Sequence, residues 1–337
     1  MIKHMMLAGL TAEPDLSPAG EPGKKPLKFS YGGQAVMEGV MMRGAHSLAV
    51  AVRNPRGEIV VHEQPINAAL YRGPISRIPF LRGMTLLWDA LGLGTRALMW
   101  SADIALDEED DVSFNGPLGI GTVAVSLALG IGLFFLLPAA AAGGVQDVLS
   151  LEHNELLTNI IEGVIRLLLI VGYIWAIGRM PDIARIFQYH GAEHKTINAY
   201  EAGAPLTPEG VAPFPLAHPR CGTGFLLVVA VISILVFSLL GRPPLFWLLL
   251  SRVVLIPVIA GIAYEYIKFT ATRMDRAWVR AMVAPSLALQ KLTTNEPTPD
   301  MLEVSILALE RVLAVEQAHQ PGVAPEAEAE EMAAAAR

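Results

Sequence analysis

The sequence contains few cysteines and few charged residues for its length. One cysteine, Cys221, occurs in 337 residues, which excludes an internal disulfide framework. Charged residues make up 17% of the chain, whereas soluble proteins of ordinary composition carry about 25%. The net charge is −7, and lysine and arginine form no dense basic cluster of the kind that binds nucleic acid. We therefore expect no nucleic-acid partner.

Charge is missing from long continuous segments, of which residues 112–146 are the longest. A helix needs about 20 apolar residues to cross the hydrocarbon core of a bilayer. Four runs reach this length or come close to it: 118–142, 160–178, 222–241 and 245–264. Four such runs in one chain are not expected in the core of a soluble protein. The sequence predicts an α-helical membrane protein with about four transmembrane helices. The lipid bilayer is therefore an expected partner.

Lysine and arginine are distributed unevenly among the segments that connect these runs. Eleven precede the first run, none lies between residues 147 and 159, and the connection 179–221 holds four. Positive residues favour the cytoplasmic side of a membrane. The alternation predicts a multi-pass protein of the plasma membrane with both the N and C termini in the cytoplasm.

The remaining segments are organised around this membrane region. The β-prone segments 47–52 and 58–63 flank the turn-forming sequence Asn-Pro-Arg-Gly and predict a β-hairpin. The predicted order is a disordered leader (1–27), a cytoplasmic α+β element (28–111), the four-span region (112–266) with its cytoplasmic loop (179–221), cytoplasmic helices (267–312) and a flexible tail (313–337).

The segment His190-Gly191-Ala192-Glu193-His194 carries the sharpest chemical pattern. A helix is predicted over residues 182–202, and its positions 190 and 194 face the same side, so both imidazoles can bind one ion. Glu193 stands beside them, where it can accept a proton from a water held by a metal. The order H-x-x-E-H also occurs in inverzincin proteases. The alternative is a pair of core histidines that are hydrogen-bonded to backbone carbonyls.

A second group of potential ligands, His218 and Cys221, lies where the third apolar run begins. The predicted topology puts this point and the H-x-x-E-H helix on the same, cytoplasmic side. The two histidines of that helix, His218 and Cys221 form a set that suits Zn²⁺. Four protein ligands indicate a structural site, and three indicate an open catalytic site. Glu201 and Glu265 are alternative oxygen ligands, and a small buried hydrophobic residue is the alternative role for Cys221.

Three charged residues lie inside the apolar runs. Glu162 and Arg166 form an i, i+4 pair in the second run, and Arg252 lies within the fourth. Charged groups inside a bilayer face protein or water. They predict either a structural triad that links the two helices or part of a path for an ion or substrate. Pro257 predicts a kink in the fourth helix.

Six segments together resemble the YqhQ family of bacterial membrane proteins, a family of unknown function whose members are often described as predicted metal-dependent enzymes. They are GGQAVMEGVMMRG (32–44), PFLRG (79–83), YHGAEHKTINAYE (189–201), HPRCGTGF (218–225), PVIAGIAYE (257–265) and LQKLTTNEP (289–297). The resemblance implies the bacterial inner membrane as the location. It also implies that Glu38 and Arg43 of the first segment face the same site as the histidines; a glycine-rich turn between strands is the alternative.

The leading hypothesis is a metal-dependent hydrolase with a zinc site at the cytoplasmic face. His190 and His194 bind the ion, and His218 or Cys221 completes the site. Glu193 is the general base, and the substrate is a peptide or a lipid-linked molecule. Two alternatives stay open: a non-enzymatic membrane scaffold or assembly factor, held by a structural zinc or a hydrogen-bond cluster, and a small transporter. Four spans are few for a transporter unless the chain forms a homo-oligomer.

Overall fold

The computed structural model describes residues 31–66, 78–106, 116–149, 154–241 and 243–319. The predicted leader and residues 320–337 of the predicted tail lie outside this part of the chain. Its elements are β1 (Gly32–Val36), β2 (Gly39–Arg43), β3 (Ser47–Arg53), β4 (Ile59–Pro65), α1 (Leu81–Ala105), α2 (Pro117–Ile131), α3 (Leu137–Val148), α4 (Glu155–Ile177), α5 (Pro181–Ala202), α6 (Pro208–Val211), α7 (Gly222–Leu239), α8 (Leu245–Val254), α9 (Ile256–Ala271), α10 (Ala277–Gln290) and α11 (Pro299–Ala318). A π-helical turn, Gly132–Leu136, connects α2 to α3.

The four strands form one antiparallel sheet in sequential order. The predicted hairpin is confirmed as β3–β4. Strand β3 is apolar at almost every position, a pattern that suits a strand buried on both faces. Leu48 and Val50 point to the face that α1 covers, and Ala49 and Ala51 point to the face that α5 and α11 cover. The sheet is therefore the middle layer between helices.

The glycine-rich segment before this hairpin forms a second hairpin, β1–β2, closed by the loop Met37-Glu38. Glu38 has a φ of 50°, in the left-handed region where a residue other than glycine is uncommon. The guanidinium of Arg185 in α5 donates two hydrogen bonds to the Glu38 carboxylate, at 2.6 and 2.5 Å. The hydroxyl of Tyr189 donates a third at 3.4 Å. Glu38 therefore has an uncommon backbone conformation and a side chain that links the sheet to α5.

Helix α1 joins the sheet to the apolar helices. Leu93 and Ala97 pack against the sheet. At the other end of the helix, Arg82 donates to both carboxylate oxygens of Glu265 in α9, at 2.7 and 2.5 Å. A Cβ on Gly83 would lie 2.9 Å from the Cβ of Tyr264, so the absence of a side chain allows α1 and α9 to approach closely.

Four helical segments are long and apolar enough to cross a membrane, which confirms the four predicted runs. They are Gly119–Val148, Glu155–Ile177, Gly222–Leu239 and Phe246–Ala271. The last of them breaks at Leu255, between α8 and α9. The break comes just before Pro257, which has no N–H to continue the helical hydrogen bonds, so the helix is interrupted beside the residue at which a kink was predicted.

The three charged residues of the apolar runs meet between α4 and α8. Glu162 Oε1 lies 2.8 Å from Arg166 Nη2, and Glu162 Oε2 lies 3.2 Å from Arg252 Nη2. Arg252 also lies over the ring of Phe237 in α7, 3.9 Å from its centroid. Arg166 Nε donates to the carbonyl of Phe134 in the π-helical turn. This buried cluster therefore links elements from all four apolar segments.

Helix α11 continues to Ala318, past residue 313, where the flexible tail was expected to begin. Glu316 accepts hydrogen bonds from the backbone N–H and from Nδ1 of His46, at 2.7 and 2.6 Å. His46 lies in the turn between β2 and β3, 270 positions away in the sequence. Contacts with the turn between β2 and β3 therefore stabilise the last turns of this helix.

Candidate metal centre

Helix α5 positions the H-x-x-E-H residues. It begins at Pro181, where a missing N–H costs nothing, and ends at Ala202, before Gly203, whose φ of 72° supplies the left-handed C-cap. These bounds confirm the predicted helix. The sheet and α11 cover one side of α5, so Glu193, His194 and Lys195 are all buried. Buried polar groups need hydrogen-bond partners, and each of these three side chains has a different one.

The ligand atoms of His190, His194 and Cys221 all lie within 4.8 Å of one another. Cys221 Sγ is 3.2 Å from His190 Nε2, and the two imidazole centroids are 4.4 Å apart. Cys221 is the N-cap of α7, where its sulfur accepts a hydrogen bond from Thr223 N. Across the part of the chain that the structure describes, no other cluster of histidine, cysteine and acidic residues has the spacing that a metal ion requires.

Backbone carbonyls determine which ring nitrogen of each histidine is available. Nδ1 of His190 lies 2.8 Å from the Thr293 carbonyl, and Nδ1 of His194 lies 2.5 Å from the Leu216 carbonyl. A carbonyl only accepts, so each Nδ1 carries the hydrogen and each Nε2 keeps a lone pair. Histidines that bind metals usually have this support on their second nitrogen. Nε2 of His194 is buried without a hydrogen-bond partner.

His218 lies beside the three-donor group of His190, His194 and Cys221 but is not part of it. Its ring centroid is 5.5 Å from that of His194, and its Nε2 is buried without a hydrogen-bond partner. Burial, with a smaller contribution from Arg220, lowers the pKa of His218 well below its usual value. The imidazole is therefore neutral at pH 7, the form that binds metals.

The backbone of His218 is held by the end of α10. Gln290 Oε1 accepts a hydrogen bond from His218 N at 3.0 Å, and Gln290 Nε2 donates to His218 O at 2.8 Å. Gln290 itself is buried. One amide side chain thus satisfies both backbone groups of His218 and positions the turn that leads to Cys221.

Glu193 lies on the side of α5 that faces the sheet. A Cβ on Gly33 of β1 would lie 2.9 Å from Glu193 Cγ, so only glycine allows this contact without a shift. Burial raises the pKa of Glu193, while the His190 imidazole and a hydrogen bond from the Gly33 N–H limit the rise. A carboxylate with a raised pKa accepts a proton more readily than an ordinary carboxylate.

The first of the six segments reaches the candidate centre through Gly33, which lies against Glu193. Glu38 contacts Arg185 and Tyr189 of α5, on the same helix as the histidines. Arg43 lies at the end of β2. The paired glycines at the start of the segment were the signal for this close approach.

The two alternative oxygen ligands are engaged by arginines. Glu265 forms the two-bond ion pair with Arg82, and Glu201 forms an ion pair with Arg220. Neither carboxylate belongs to the three-donor group. The pair with Glu201 instead anchors Arg220, which lies between His218 and Cys221 in the sequence.

The sequence did not identify the residues that support the ligands from the segment after α10. A Cβ on Gly191, between the two histidines, would lie 2.1 Å from the carbonyl oxygen of Asn295. Asn295 N donates to the carbonyl of Phe187 in α5 at 2.9 Å, and the Thr293 carbonyl holds His190. These residues belong to the sixth family segment, LQKLTTNEP, which had suggested membership of the family but no role.

Comparison with known proteins agrees with these segments. A family model described as "Protein of unknown function (DUF1385)" matches residues 78–315. The protein named "Uncharacterized protein YqhQ" from Bacillus subtilis (strain 168) is 34% identical over 299 residues, which cover 85% of this chain and 93% of that protein. No solved structure matches the chain. The resemblance of the six segments is thereby confirmed, and the chain belongs to the YqhQ family.

Proposed function

We propose that this protein is a zinc-dependent hydrolase of the bacterial inner membrane, with its metal centre at the cytoplasmic ends of the spans. The observation that carries the proposal is the three-donor group of His190, His194 and Cys221. Its two imidazoles are oriented by carbonyls so that each Nε2 can bind an ion. Two nitrogens and one sulfur suit zinc, and a zinc ion held by three protein ligands would keep a fourth position for water.

The apolar surface of the long helices supports insertion into a membrane. Leu129, Leu168 and Leu235 lie on three different apolar segments and are 69%, 66% and 62% exposed. Surfaces of this kind need lipid to cover them. The distribution of lysine and arginine favours cytoplasmic N and C termini. With this topology, α5 follows the second span and Cys221 precedes the third, so both lie at the cytoplasmic surface.

Each part of the centre has a role in hydrolysis. Zinc supplies Lewis acidity, which polarises a substrate carbonyl and lowers the pKa of a water molecule. Glu193 would take a proton from a water molecule as the water oxygen attacks the carbonyl carbon. Glu193 would then give the proton to the leaving nitrogen or oxygen as the bond to the carbonyl carbon breaks, and the raised pKa of Glu193 favours its taking up the proton first. The position at the membrane surface favours a peptide or a lipid-linked substrate.

The unpartnered Nε2 of His218 favours a second candidate function. As a fourth ligand, His218 would close the coordination sphere, and a closed site is structural. The zinc would then join α5 to the start of α7, and the protein would act as a membrane scaffold or assembly factor. The Glu162 cluster links elements of all four segments, which fits a structural role better than the open path that a small transporter requires.

Metal analysis of the full chain, purified in detergent from zinc-supplemented cells, tests the centre. We expect about one zinc per chain, as for a single mononuclear site. The variant His194→Ala/Cys221→Ala should lose it. The control His62→Ala changes an exposed histidine of β4 and should retain it. A wild-type chain without zinc would contradict both candidate functions.

Two further variants separate the hydrolase from the scaffold. In a hydrolase, Glu193→Gln keeps its zinc but loses about 10²- to 10⁴-fold in hydrolysis of fluorogenic peptide or lipid-ester substrates. His218→Ala keeps its zinc too. X-ray absorption on the wild type then finds three protein ligands and one oxygen around the zinc. In a structural site, X-ray absorption finds four protein ligands, and His218→Ala loses the metal. That second result would overturn the hydrolase.

A further inference from the structure

Helix α10 begins beside the end of the fourth apolar segment. The ring centroid of Trp278, in its first turn, is 6.0 Å from that of Phe269 in α9. The carbonyl of Met282 accepts a hydrogen bond from the hydroxyl of Tyr266 at 3.1 Å. The first half of α10 therefore packs on the end of α9, at the cytoplasmic end of that span in the proposed topology.

The other end of α10 reaches the start of the third apolar segment. A Cβ on Gly224 of α7 would lie 3.2 Å from Ser286 Cβ, and Gln290 holds His218 just before α7. In the proposed topology, both spans have these ends on the cytoplasmic side. A helix that connects the two ends therefore runs along the membrane surface.

The outward face of α10 is apolar and aromatic. Trp278 and Met282 are 49% and 42% exposed, whereas Val279 and Val283 are buried. The sequence of the helix, AWVRAMVAPSLALQ, contains one charged residue, Arg280. A helix with this face in water would carry more polar residues, whereas this composition is typical of a helix at a membrane interface.

A cluster of basic residues surrounds the beginning of α10. This basic collar consists of Lys268, Arg273, Arg276 and Arg280, and residues 268–280 contain one acidic residue, Asp275. The side chains at 268, 276 and 280 are exposed. Clusters of four or more basic residues directly after a span attract the anionic lipids of the cytoplasmic leaflet.

Stacked arginine–aromatic pairs lie at the ends of two apolar segments. The guanidinium of Arg273 lies 4.2 Å from the ring centroid of Phe269, after the fourth segment. The guanidinium of Arg179 lies 3.2 Å from the ring centroid of Trp175, after the second. Arginine on an aromatic ring is suited to the headgroup level, where the ring meets the acyl chains and the charge meets phosphate. The collar therefore lies at the level of the lipid phosphates.

We propose that α10 is an interfacial helix that binds anionic phospholipid through the basic collar. The proposal rests on the membrane insertion in the proposed function and does not depend on zinc. Trp278 and Met282 enter the region below the headgroups, and the guanidinium groups pair with lipid phosphates. The far end of α10 carries Gln290, which holds His218, and is followed by Thr293, which holds His190.

Native mass spectrometry of the full chain in detergent, titrated with phosphatidylglycerol or phosphatidylcholine, tests the binding. We expect the wild type to prefer phosphatidylglycerol. A basic residue near an anionic surface contributes a factor of about 5, so Arg276→Gln/Arg280→Gln should bind this lipid roughly 25-fold more weakly. The control Arg56→Gln/Arg311→Gln removes the same charge from the β3–β4 turn and from α11, and should bind as the wild type does.

Equal affinity for the two lipids, or an equal loss in the control, would overturn the lipid proposal. Zinc content is measured on the same samples, which keeps the two proposals apart. A chain that prefers phosphatidylglycerol but holds no zinc contradicts only the zinc centre. A chain that holds zinc without a lipid preference contradicts only the lipid site.

Fluorescence quenching in nanodiscs, with acyl chains brominated near the headgroup, tests the insertion of α10. The difference in emission between the wild type and Trp278→Phe is the contribution of Trp278. We expect bromine to quench this contribution strongly. The control Trp100→Phe isolates a ring that lies 5.4 Å from His62 in the sheet layer, and its emission should be unaffected. A Trp278 emission that bromine does not quench would overturn the interfacial position.

Discussion

At the residue scale, backbone carbonyls rather than other side chains orient both histidines of the candidate centre. His190 donates to the Thr293 carbonyl and His194 to the Leu216 carbonyl. Any residue supplies a carbonyl, so side-chain patterns in the sequence carry no sign of these partners. The H-x-x-E-H spacing predicted that the histidines share a face, and only the packed chain determined which nitrogen of each is free.

Substitution of Glu201 and Glu265 tests, at the same scale, which side chains bind the metal. Each is paired with an arginine, Glu201 with Arg220 and Glu265 with Arg82. We expect Glu201→Gln and Glu265→Gln to keep the wild-type zinc content, because neither side chain belongs to the donor group. Zinc per chain, measured by atomic emission after dialysis, checks this. Loss of the metal in either variant would make that residue a ligand.

Contact between β1 and α5 connects the sheet to the centre at the scale of elements. Gly33 is close enough to Glu193 that an added Cβ would lie 2.9 Å from Cγ of the carboxylate side chain and 2.6 Å from the Met41 carbonyl. Gly32, the neighbouring residue, has no atom within 4 Å of the same position. Two adjacent glycines therefore differ in the space around them, which the sequence alone does not reveal.

Alanine at these two positions should give different results. Gly33→Ala crowds the strand and Glu193, so we expect a loss of about 1–3 kcal/mol in the free energy of unfolding, as in other crowded cores. Gly32→Ala should stay near the wild type. Thermal unfolding of the full chain in detergent measures both. Equal stability of the two variants would mean that β1 and α5 are less closely packed.

The Glu162 cluster tests how the apolar helices are joined. Glu162→Gln removes the carboxylate that faces Arg166 and Arg252. A buried ion network that loses one partner typically loses about 3–5 kcal/mol, so we expect a clear fall in thermal stability. Asp147→Asn, which changes an exposed acid at the end of α3, is the control. A Glu162→Gln chain as stable as this control would rule out a structural role for the cluster.

At the scale of the whole molecule, a metal ion at the centre would join two parts of the chain that are separate in sequence. Its ligands come from α5, and from the N-cap of α7 at Cys221. A ligand present at 1,000 times its dissociation constant stabilises the folded state by about 4 kcal/mol. A strong chelator should therefore lower the melting temperature, and added zinc should restore it.

The chelator experiment has an internal control. The variant His194→Ala/Cys221→Ala should melt at the same temperature with and without chelator, because it has lost two of the three donors. Differential scanning fluorimetry on the purified full chain measures both responses. A wild type that is insensitive to chelator would show that no metal contributes to stability, and an equal response in the variant would place the metal elsewhere.

The amino-acid sequence determined the four apolar helices, helix α5 and the β3–β4 hairpin. These elements depend on residues that are neighbours in the chain: long apolar runs, a proline and a glycine at the ends of a helix, and a turn between two β-prone segments. The family relationship was also readable from short segments in order. The β1–β2 hairpin could not be predicted from the sequence, because Glu38 occupies a turn position where glycine or asparagine is usual.

Only the tertiary structure decided which predicted ligands come together. It brought Cys221 to His190 across 31 positions, kept His218 beside the group rather than in it, and engaged Glu201 and Glu265 with arginines. It also brought the Thr293 carbonyl to His190 across 103 positions. The physical reason is that such contacts depend on how whole helices pack, and local periodicity contains no information about the distance between segments far apart in the chain.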